Sequence, residues 1–134
     1  MSTTRLLWHE GFRFTGTDSY GRDVAIDADL AASSGAKPSD LLPIAIAACT
    51  AYDIVNILQK QRQGLRALET TIESEQGSDP PFAFERITVR YLLRGEIDPV
   101  KARKALELSE QKYCSISATL RDSVELSFEV DVES

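Results

Sequence analysis

The chain has 134 residues, of which 43% are hydrophobic and 27% are charged, and these values are ordinary for a soluble globular protein. This length predicts a single domain, residues 1–134, with one hydrophobic core. The formal net charge of −6, with lysines and arginines spread along the chain, disfavours nucleic acids and membrane surfaces as partners.

The first thirty residues predict a hairpin of two β-strands. Residues 1–10 lack the apolar stretch of a signal peptide, so we expect a cytoplasmic protein. Residues 6–14 are rich in apolar side chains, and apolar and acidic side chains alternate in residues 24–28, as they do on strands. The two glycines within residues 15–21 suit the connection between the strands, and residues 33–38 predict a loop.

The most informative segment is a helix predicted over residues 41–58. Asp40 predicts its N-cap, and Pro43 falls in the first turn, where a missing N–H costs no hydrogen bond. Asp53 is the only charged residue of the segment, so the helix is apolar on nearly every side. Pro43 and Asp53 disfavour a membrane span. We therefore expect a homodimer, in which a second subunit covers the rest of this helix.

The remaining residues predict three strands and one more helix. Residues 68–76 and 84–94 predict paired strands, and a helix is predicted over residues 98–112, where an Asp-Pro pair provides the cap and the first helical position. Strict alternation in residues 124–132 predicts a final strand with one buried face. The order is ββ-α-ββ-α-β, which indicates an α+β fold with mainly antiparallel sheets.

Two motifs around the cysteines resemble those of one protein family. The first is Lys37-Pro-Ser-Asp-Leu-Leu42, which ends seven residues before Cys49-Thr-Ala-Tyr-Asp-Ile-Val55. The second is Glu107-Leu-Ser-Glu-Gln-Lys-Tyr-Cys114-Ser-Ile-Ser117. Both motifs, their separation and the order of elements resemble the OsmC/Ohr superfamily, and the similarity extends over nearly the whole chain.

The resemblance implies an activity and a quaternary structure. Members form intertwined homodimers around a long central helix, with active sites at the subunit interface. Cys49 is expected to attack an organic hydroperoxide, and Cys114 to resolve the product as a disulfide. A dithiol such as a reduced lipoyl-protein would then reset the pair. No cofactor is implied, and the sequence contains neither a zinc-ligand pair nor a glycine-rich nucleotide motif.

The chemistry of Cys49 requires an activating group. A thiolate is the reactive form, and the pKa of a free cysteine is about 8.5. Cys49 lies too far into the predicted helix for its positive end to help, and burial raises a thiol pKa further. Cys114 lies just past the end of the predicted helix 98–112, where the dipole opposes a thiolate. Cys49 can therefore act only if a cation reaches it.

The resemblance assigns that cation to an arginine of an N-terminal loop, and Arg22 matches it by position. The family's well-studied peroxidases also carry a glutamate directly after the proline that precedes the central helix. Ser39 stands there in this chain, followed by Asp40. Asp40 either substitutes for the glutamate or only caps the helix.

Other readings of these residues stay open. Both cysteines also suit the role of small buried apolar side chains, and Arg22 that of a solvated turn residue. One alternative function is a non-catalytic dimer that binds a small apolar ligand at the subunit interface, which the Ser39 departure favours. Another is a hydrolase in which Asp40 or Asp53 acts as a base, although no motif supports it. Asp53 is otherwise expected to pair with a cation at the subunit interface.

Overall fold

The computed structural model describes residues 1–31 and 34–134 of the chain. These residues form two compact units, residues 1–42 and residues 43–134, and each unit contains a three-stranded β-sheet. Ser33, the first residue of the predicted loop, lies outside the described residues, and the rest of that loop leads into the first helical turn.

The first unit is an antiparallel meander. Its strands are β1 (Arg5–Glu10), β2 (Arg13–Thr17) and β3 (Asp23–Asp27), in the order β1-β2-β3. The predicted first strand is thus two strands, which meet at Gly11, where φ is +55°, a conformation that favours glycine. Every residue of β1 is exposed, including three large apolar side chains, each more than 60% exposed: Leu6, Leu7 and Trp8.

A short 3₁₀ turn, Pro38–Asp40, leads directly into the long helix α1 (Leu41–Lys60). Pro38 therefore opens the helical run, because its fixed φ and missing N–H suit a first helical position, and Lys37 holds the cap position. The prediction that Asp40 is the N-cap was wrong, since Asp40 lies inside the first turn. Its carboxylate is still favourable there, close to the positive end of the helix.

The helix α1 buries a single stripe of side chains in this chain. The stripe repeats every three or four residues, as an amphipathic helix requires, and consists of Pro43, Ile46, Ala47, Thr50, Ile54 and Leu58. On the other side, Ile44 and Tyr52 are 49% and 66% exposed. By length and composition the stretch Pro38–Lys60 could cross a membrane, a test that core helices of soluble proteins also pass.

The second unit contains the other sheet, with strands β4 (Gly64–Gln76), β5 (Phe84–Glu96) and β6 (Glu125–Glu133) in the order β4-β5-β6. Strand β5 pairs antiparallel with β4 and parallel with β6. The predicted inner face of β5 is confirmed, because four alternating residues are at most 1% exposed: Ile87, Val89, Tyr91 and Leu93. The helix α1 lies against this strand, as shown by a 2.7 Å hydrogen bond from the Tyr91 hydroxyl to the Ala47 carbonyl.

Strands β5 and β6 are joined by helical segments. Helix α2 (Pro99–Leu108) has the predicted cap, in which the Asp98 carboxylate accepts the Val100 N–H at 2.9 Å. A π-helical turn, Ser109–Tyr113, follows, and then the short helix α3 (Ser115–Leu120). This helical crossover allows β5 and β6 to run parallel. The predicted α+β class, with mainly antiparallel sheets and a long central helix, is confirmed, with one more strand and one more short helix than predicted.

The outer face of the second sheet carries a ladder of ion pairs. Three arginines of β5 each contact one glutamate of β4 and one of β6, namely Arg86 with Glu75 and Glu125, Arg90 with Glu73 and Glu129, and Arg94 with Glu69 and Glu133. All of these side chains are about half exposed or more. Exposed pairs contribute little each, so the ladder favours the observed strand register more than it stabilises the fold.

Candidate active site: the Cys49 and Cys114 thiols

The fold of the second unit brings the two cysteines together. Cys49 lies in the middle of α1, and Cys114 lies between the π-helical turn and α3. Both are free cysteines, and their thiols lie close enough for each to shift the pKa of the other. Cys49 is half-buried, whereas Cys114 is only 2% exposed. The two predicted cysteines therefore lie near each other, and Cys49 is the more exposed residue of the two.

Cys114 is the N-cap residue of α3. Its sulfur accepts two hydrogen bonds from Ser117, one from the backbone N–H at 3.4 Å and one from the hydroxyl at 3.3 Å. Ser117 is itself buried. The sequence predicts only that Cys114 follows the negative end of a helix. In the structure Cys114 also begins α3, and Ser117 of α3 donates an N–H and an O–H to the same sulfur. A short helix capped by a sulfur atom leaves no N-cap signal of the usual kind in the sequence.

Thr50, the residue after Cys49, completes the surroundings of Cys114. Its side chain is fully buried, and its hydroxyl lies close to both the Cys114 thiol and the Tyr91 phenol. It forms no hydrogen bond of good geometry with any residue that the structure describes. Buried hydroxyls are seldom left without a partner, so the Thr50 hydroxyl is a donor available to the sulfur beside it.

The two thiols differ in acidity. Burial and the neighbouring Cys114 thiol raise the pKa of Cys49 to about 11, the charge of Asp53 adds to this rise, and the Ile116 N–H opposes it. Burial also raises the pKa of Cys114, but the neighbouring Cys49 thiol, the two hydrogen bonds from Ser117 and the nearby Thr50 hydroxyl outweigh it and leave that pKa below its ordinary value. The two hydrogen bonds from Ser117 favour negative charge on the Cys114 sulfur.

Asp53 lies one helical turn after Cys49 and is tied to the segment that carries Cys114. Its carboxylate accepts a 2.7 Å hydrogen bond from the hydroxyl of Ser109, a fully buried residue that opens the π-helical turn. The expected pairing of Asp53 with a cation at the subunit interface stays a prediction, and within residues 1–31 and 34–134 the carboxylate has the Ser109 hydroxyl as its hydrogen-bond partner. A cavity of about 440 Å³ adjoins the link and is lined by Asp53, Asn56, Ile57, Lys60 and Tyr113.

The other two predicted site residues belong to the first unit. Arg22 lies in the turn between β2 and β3, where its N–H donates to the Asp18 carboxylate at 2.9 Å and its guanidinium lies 5.5 Å from the centre of the Tyr20 ring. Asp40 ends the 3₁₀ turn before α1. The roles of Arg22 and Asp40 as site residues stay predictions. Arg121, a second cation near the cysteine motif in sequence, donates to the Glu110 carbonyl at 3.0 Å.

Sequence reasoning did not identify four residues around the pair: Thr50, Tyr91, Ser109 and Ser117. Ser109 and Ser117 belong to the second cysteine motif, so the sequence indicated that they lie near Cys114. The motif did not indicate which groups their hydroxyls would contact. Among the described residues, no group of three or more His, Cys, Asp or Glu side chains is arranged to hold a metal ion.

A family model, described as OsmC-like protein, matches residues 31–129. The chain belongs to the OsmC-like family. It is 29% identical to Protein YhfA of Escherichia coli K12 over 129 residues, which cover 96% of each chain.

Solved structures of similar proteins agree with this membership at the level of the fold. A hypothetical protein from Aquifex aeolicus VF5 aligns with a TM-score of 0.87 and 24% identity over 99% of this chain and 96% of the other. An organic hydroperoxide resistance protein OsmC from Legionella pneumophila aligns with a TM-score of 0.67 and 20% identity over 98% and 97%. This OsmC-like protein therefore has the fold that its cysteine motifs implied.

Proposed function

We propose that this OsmC-like protein is a cytoplasmic thiol peroxidase that reduces organic hydroperoxides and acts in oxidative-stress defence. The observation that carries the proposal is the contact between two free thiols, one half-buried and one enclosed. In the proposed reaction a hydroperoxide reaches Cys49, the more exposed cysteine, and the neighbouring Cys114 reacts with the product. The Legionella structure of the same fold is described as an organic hydroperoxide resistance protein.

The proposed reaction has two steps in this chain. The Cys49 thiolate attacks the outer oxygen of the hydroperoxide, so that an S–O bond forms, the O–O bond breaks, and the alcohol leaves after protonation. The Cys114 thiolate then attacks the sulfur of the Cys49 sulfenic acid and releases water after protonation. Two thiols and ROOH thus give a disulfide, ROH and water. A dithiol, such as a reduced lipoyl-protein, then reduces the disulfide back to two thiols.

We propose that the protein forms a homodimer, and the apolar surface that each unit exposes supports this. The outer side of α1 exposes Ile44 and Tyr52, and β1 exposes Leu6, Leu7 and Trp8. Burial of apolar surface contributes about 25 cal/mol per Å², so surfaces of this kind favour association. Apolar side chains near the thiols would also favour organic hydroperoxides over hydrogen peroxide.

One experiment tests the function directly. Reduced protein is mixed with one equivalent of an organic hydroperoxide, and free thiols and disulfide-linked peptides are then measured by mass spectrometry. We expect loss of both thiols and a Cys49–Cys114 disulfide, with one equivalent of alcohol formed. Thiols that stay reduced while the hydroperoxide persists would refute the peroxidase.

A second candidate function is a non-catalytic dimer that binds a small apolar ligand at the subunit interface. Two observations favour it: Ser39 stands where the family's well-studied peroxidases carry glutamate, and burial raises the pKa of the Cys49 thiol to about 11. This candidate predicts that the thiols survive the hydroperoxide, which is the result that refutes the peroxidase.

A further inference from the structure

The enclosed sulfur of Cys114 is surrounded by hydrogen-bond donors. The Ser117 N–H and O–H both donate to it. The Cys49 thiol is close enough to shift its pKa, and the Thr50 hydroxyl, fully buried and without a partner among the described residues, lies beside it. A thiol is a weak acceptor, whereas a thiolate accepts several strong hydrogen bonds. This arrangement fits a sulfur that carries a negative charge.

Access and charge are divided between the two sulfurs. Cys114 is 2% exposed and cannot be reached by a hydroperoxide as the chain stands, while Cys49 is only half-buried and is the more exposed of the two cysteines. Cys49 is also the sulfur whose ionisation is disfavoured, by burial and by the neighbouring Asp53. The reachable sulfur therefore needs a base, and the structure puts the charged sulfur next to it.

We infer that Cys114, besides resolving the sulfenic acid, is the base that takes the Cys49 proton before Cys49 attacks. The inference rests on the proposed peroxidase function and adds a role that the cysteine motifs do not assign. This role requires that the two sulfurs lie close together and that hydrogen-bond donors stabilise a thiolate at Cys114.

The proton and the electrons balance through one cycle. The proton moves from the Cys49 sulfur to the Cys114 sulfur, and the Cys49 thiolate attacks the hydroperoxide as the O–O bond breaks. The leaving alkoxide takes the proton back from Cys114, so Cys49 is oxidised to sulfenic acid and the hydroperoxide is reduced to an alcohol. Cys114, again a thiolate, attacks the Cys49 sulfur, and hydroxide leaves and takes a proton from solvent.

Among residues 1–31 and 34–134, the charged and titratable groups that face the pair are Asp53 from α1 and Tyr91 from β5. Burial raises the pKa of Tyr91 far above its ordinary value, so Tyr91 stays a neutral phenol throughout the neutral range. Asp53, as a carboxylate, opposes negative charge on Cys49. Neither group competes with Cys114 for the role of base. The Tyr91 hydroxyl donates its hydrogen bond to the Ala47 carbonyl, and the Asp53 carboxylate accepts a hydrogen bond from Ser109.

The first test is where the charge resides. The ultraviolet absorbance of the thiolate is followed against pH in the reduced wild type and in Cys114→Ser, Cys49→Ala and Cys49→Ser. We expect the first ionisation of the wild type below about 8.5, the free thiol value, and its loss in Cys114→Ser. Cys49→Ser should keep a lower midpoint than Cys49→Ala, because a serine hydroxyl can still donate to the Cys114 sulfur. A low midpoint retained in Cys114→Ser would put the charge on Cys49 and overturn the inference.

The second test is the rate of the first oxidation step. Single-turnover oxidation of Cys49 is measured by rapid quenching and trapping of the sulfenic acid in wild type and Cys114→Ser. A positioned base contributes about 10²- to 10⁴-fold, so Cys114→Ser should oxidise at least about tenfold more slowly. Equal rates would exclude Cys114 as the base. A wild type that does not react with hydroperoxide at all refutes the peroxidase instead, and the absorbance titration then still judges the location of the charge.

A matched pair in α3 controls for general damage to the fold. Ser117→Ala removes one donor to the Cys114 sulfur, whereas Ser115→Ala changes an exposed serine of the same short helix. We expect Ser117→Ala to raise the midpoint of the first ionisation and to slow the oxidation of Cys49. Ser115→Ala should match the wild type in both. Equal behaviour of the two variants would show that donors to Cys114 do not control the reaction.

Discussion

The Ser109 hydroxyl donates a 2.7 Å hydrogen bond to the Asp53 carboxylate and so ties the π-helical turn before Cys114 to the helix that carries Cys49. Asp53 lies one turn after Cys49, and its charge is one of the influences that raise the pKa of the Cys49 thiol. The pair thus has two separable effects: a link between the two cysteine segments, and a negative charge near one thiol.

Asp53→Asn should separate the charge from the link. Asparagine keeps an oxygen that accepts from Ser109 but carries no charge, and removal of a nearby negative charge lowers a thiol pKa. We expect the midpoint for alkylation of Cys49 to fall, measured against pH in a Cys114→Ser background so that only one thiol reacts. An identical midpoint with and without the carboxylate would show that Asp53 does not control the charge on Cys49.

Ser109→Ala is the complementary change. It keeps the carboxylate and removes the link, so the alkylation midpoint of Cys49 should stay above that of Asp53→Asn. The loss of one hydrogen bond should lower the free energy of unfolding by about 1 kcal/mol, measured by urea denaturation of the reduced protein. A variant with unchanged stability would mean that the link does not stabilise the fold.

The fold could be predicted where local patterns decide it. The alternation from Ile87 to Leu93 identified the buried face of β5, and the Asp98-Pro99 pair identified the start of α2, because both signals are set by residues close in sequence. The π-helical turn Ser109–Tyr113 and the helix α3 gave no such signal, since one is a local change of hydrogen-bond register and the other is six residues long.

The candidate site could be predicted only in part. Cys49 and Cys114 were identified from motifs, and their contact follows from the packing of α1 beside the crossover. The acidity of each thiol depends on Ser117, Thr50 and the orientation of their hydroxyls, which tertiary structure sets. From the end of the predicted helix 98–112 alone, the surroundings of Cys114 are expected to disfavour a thiolate. Its N-cap position on α3, which the sequence did not predict, supplies hydrogen-bond donors that favour one.

The two cysteines should behave differently when each is replaced by serine. Cys49→Ser should abolish hydroperoxide consumption, because the reachable sulfur is gone. Cys114→Ser should consume about one equivalent, slowly, and stop at sulfenic acid, or at a mixed disulfide when small thiols are present. Consumption is measured as hydroperoxide lost per protein, and wild-type turnover in Cys49→Ser would show that Cys49 is not the nucleophile.

Tyr91→Phe tests the contact between α1 and β5. The Tyr91 hydroxyl donates to the Ala47 carbonyl at 2.7 Å in a buried position, so its removal should lower the free energy of unfolding by about 1 kcal/mol. Tyr113→Phe is the matched control, because the Tyr113 side chain is 59% exposed, and its stability should equal that of the wild type. Equal urea midpoints for both variants would contradict a stabilising role for the buried hydrogen bond.

The oligomeric state is tested on the exposed side of α1. We expect the wild type to be a dimer by light scattering at low micromolar concentration, and the double variant Ile44→Glu/Tyr52→Glu to shift towards the monomer, because charges placed on an apolar interface lose their solvation. Val100→Glu, at an exposed position of α2, is the matched control and should stay dimeric. A compact, well-folded wild-type monomer would exclude the dimer.

Arg22 is the cation that the family resemblance assigns to Cys49. A thiol in an apolar helix needs a downward pKa shift of at least about one or two units to be substantially ionised at neutral pH, or roughly 1.4 to 2.7 kcal/mol of favourable interaction. A guanidinium within hydrogen-bonding reach can supply this, whereas a solvated arginine beyond the Debye length cannot. In the turn between β2 and β3, the Arg22 guanidinium lies over the Tyr20 ring.

Arg22→Ala should therefore raise the alkylation midpoint of Cys49 and slow its reaction with organic hydroperoxide by more than about tenfold, which is the effect of one pKa unit or more. Both proteins carry Cys114→Ser, so that only Cys49 reacts and the thiolate of Cys114 cannot mask the change. Tyr20→Phe is the matched control, because it keeps the ring beneath the guanidinium and should leave the midpoint unchanged. An unchanged midpoint in Arg22→Ala would mean that Arg22 is only a turn residue and that the activation of Cys49 depends on groups of the second unit, with Cys114 first among them.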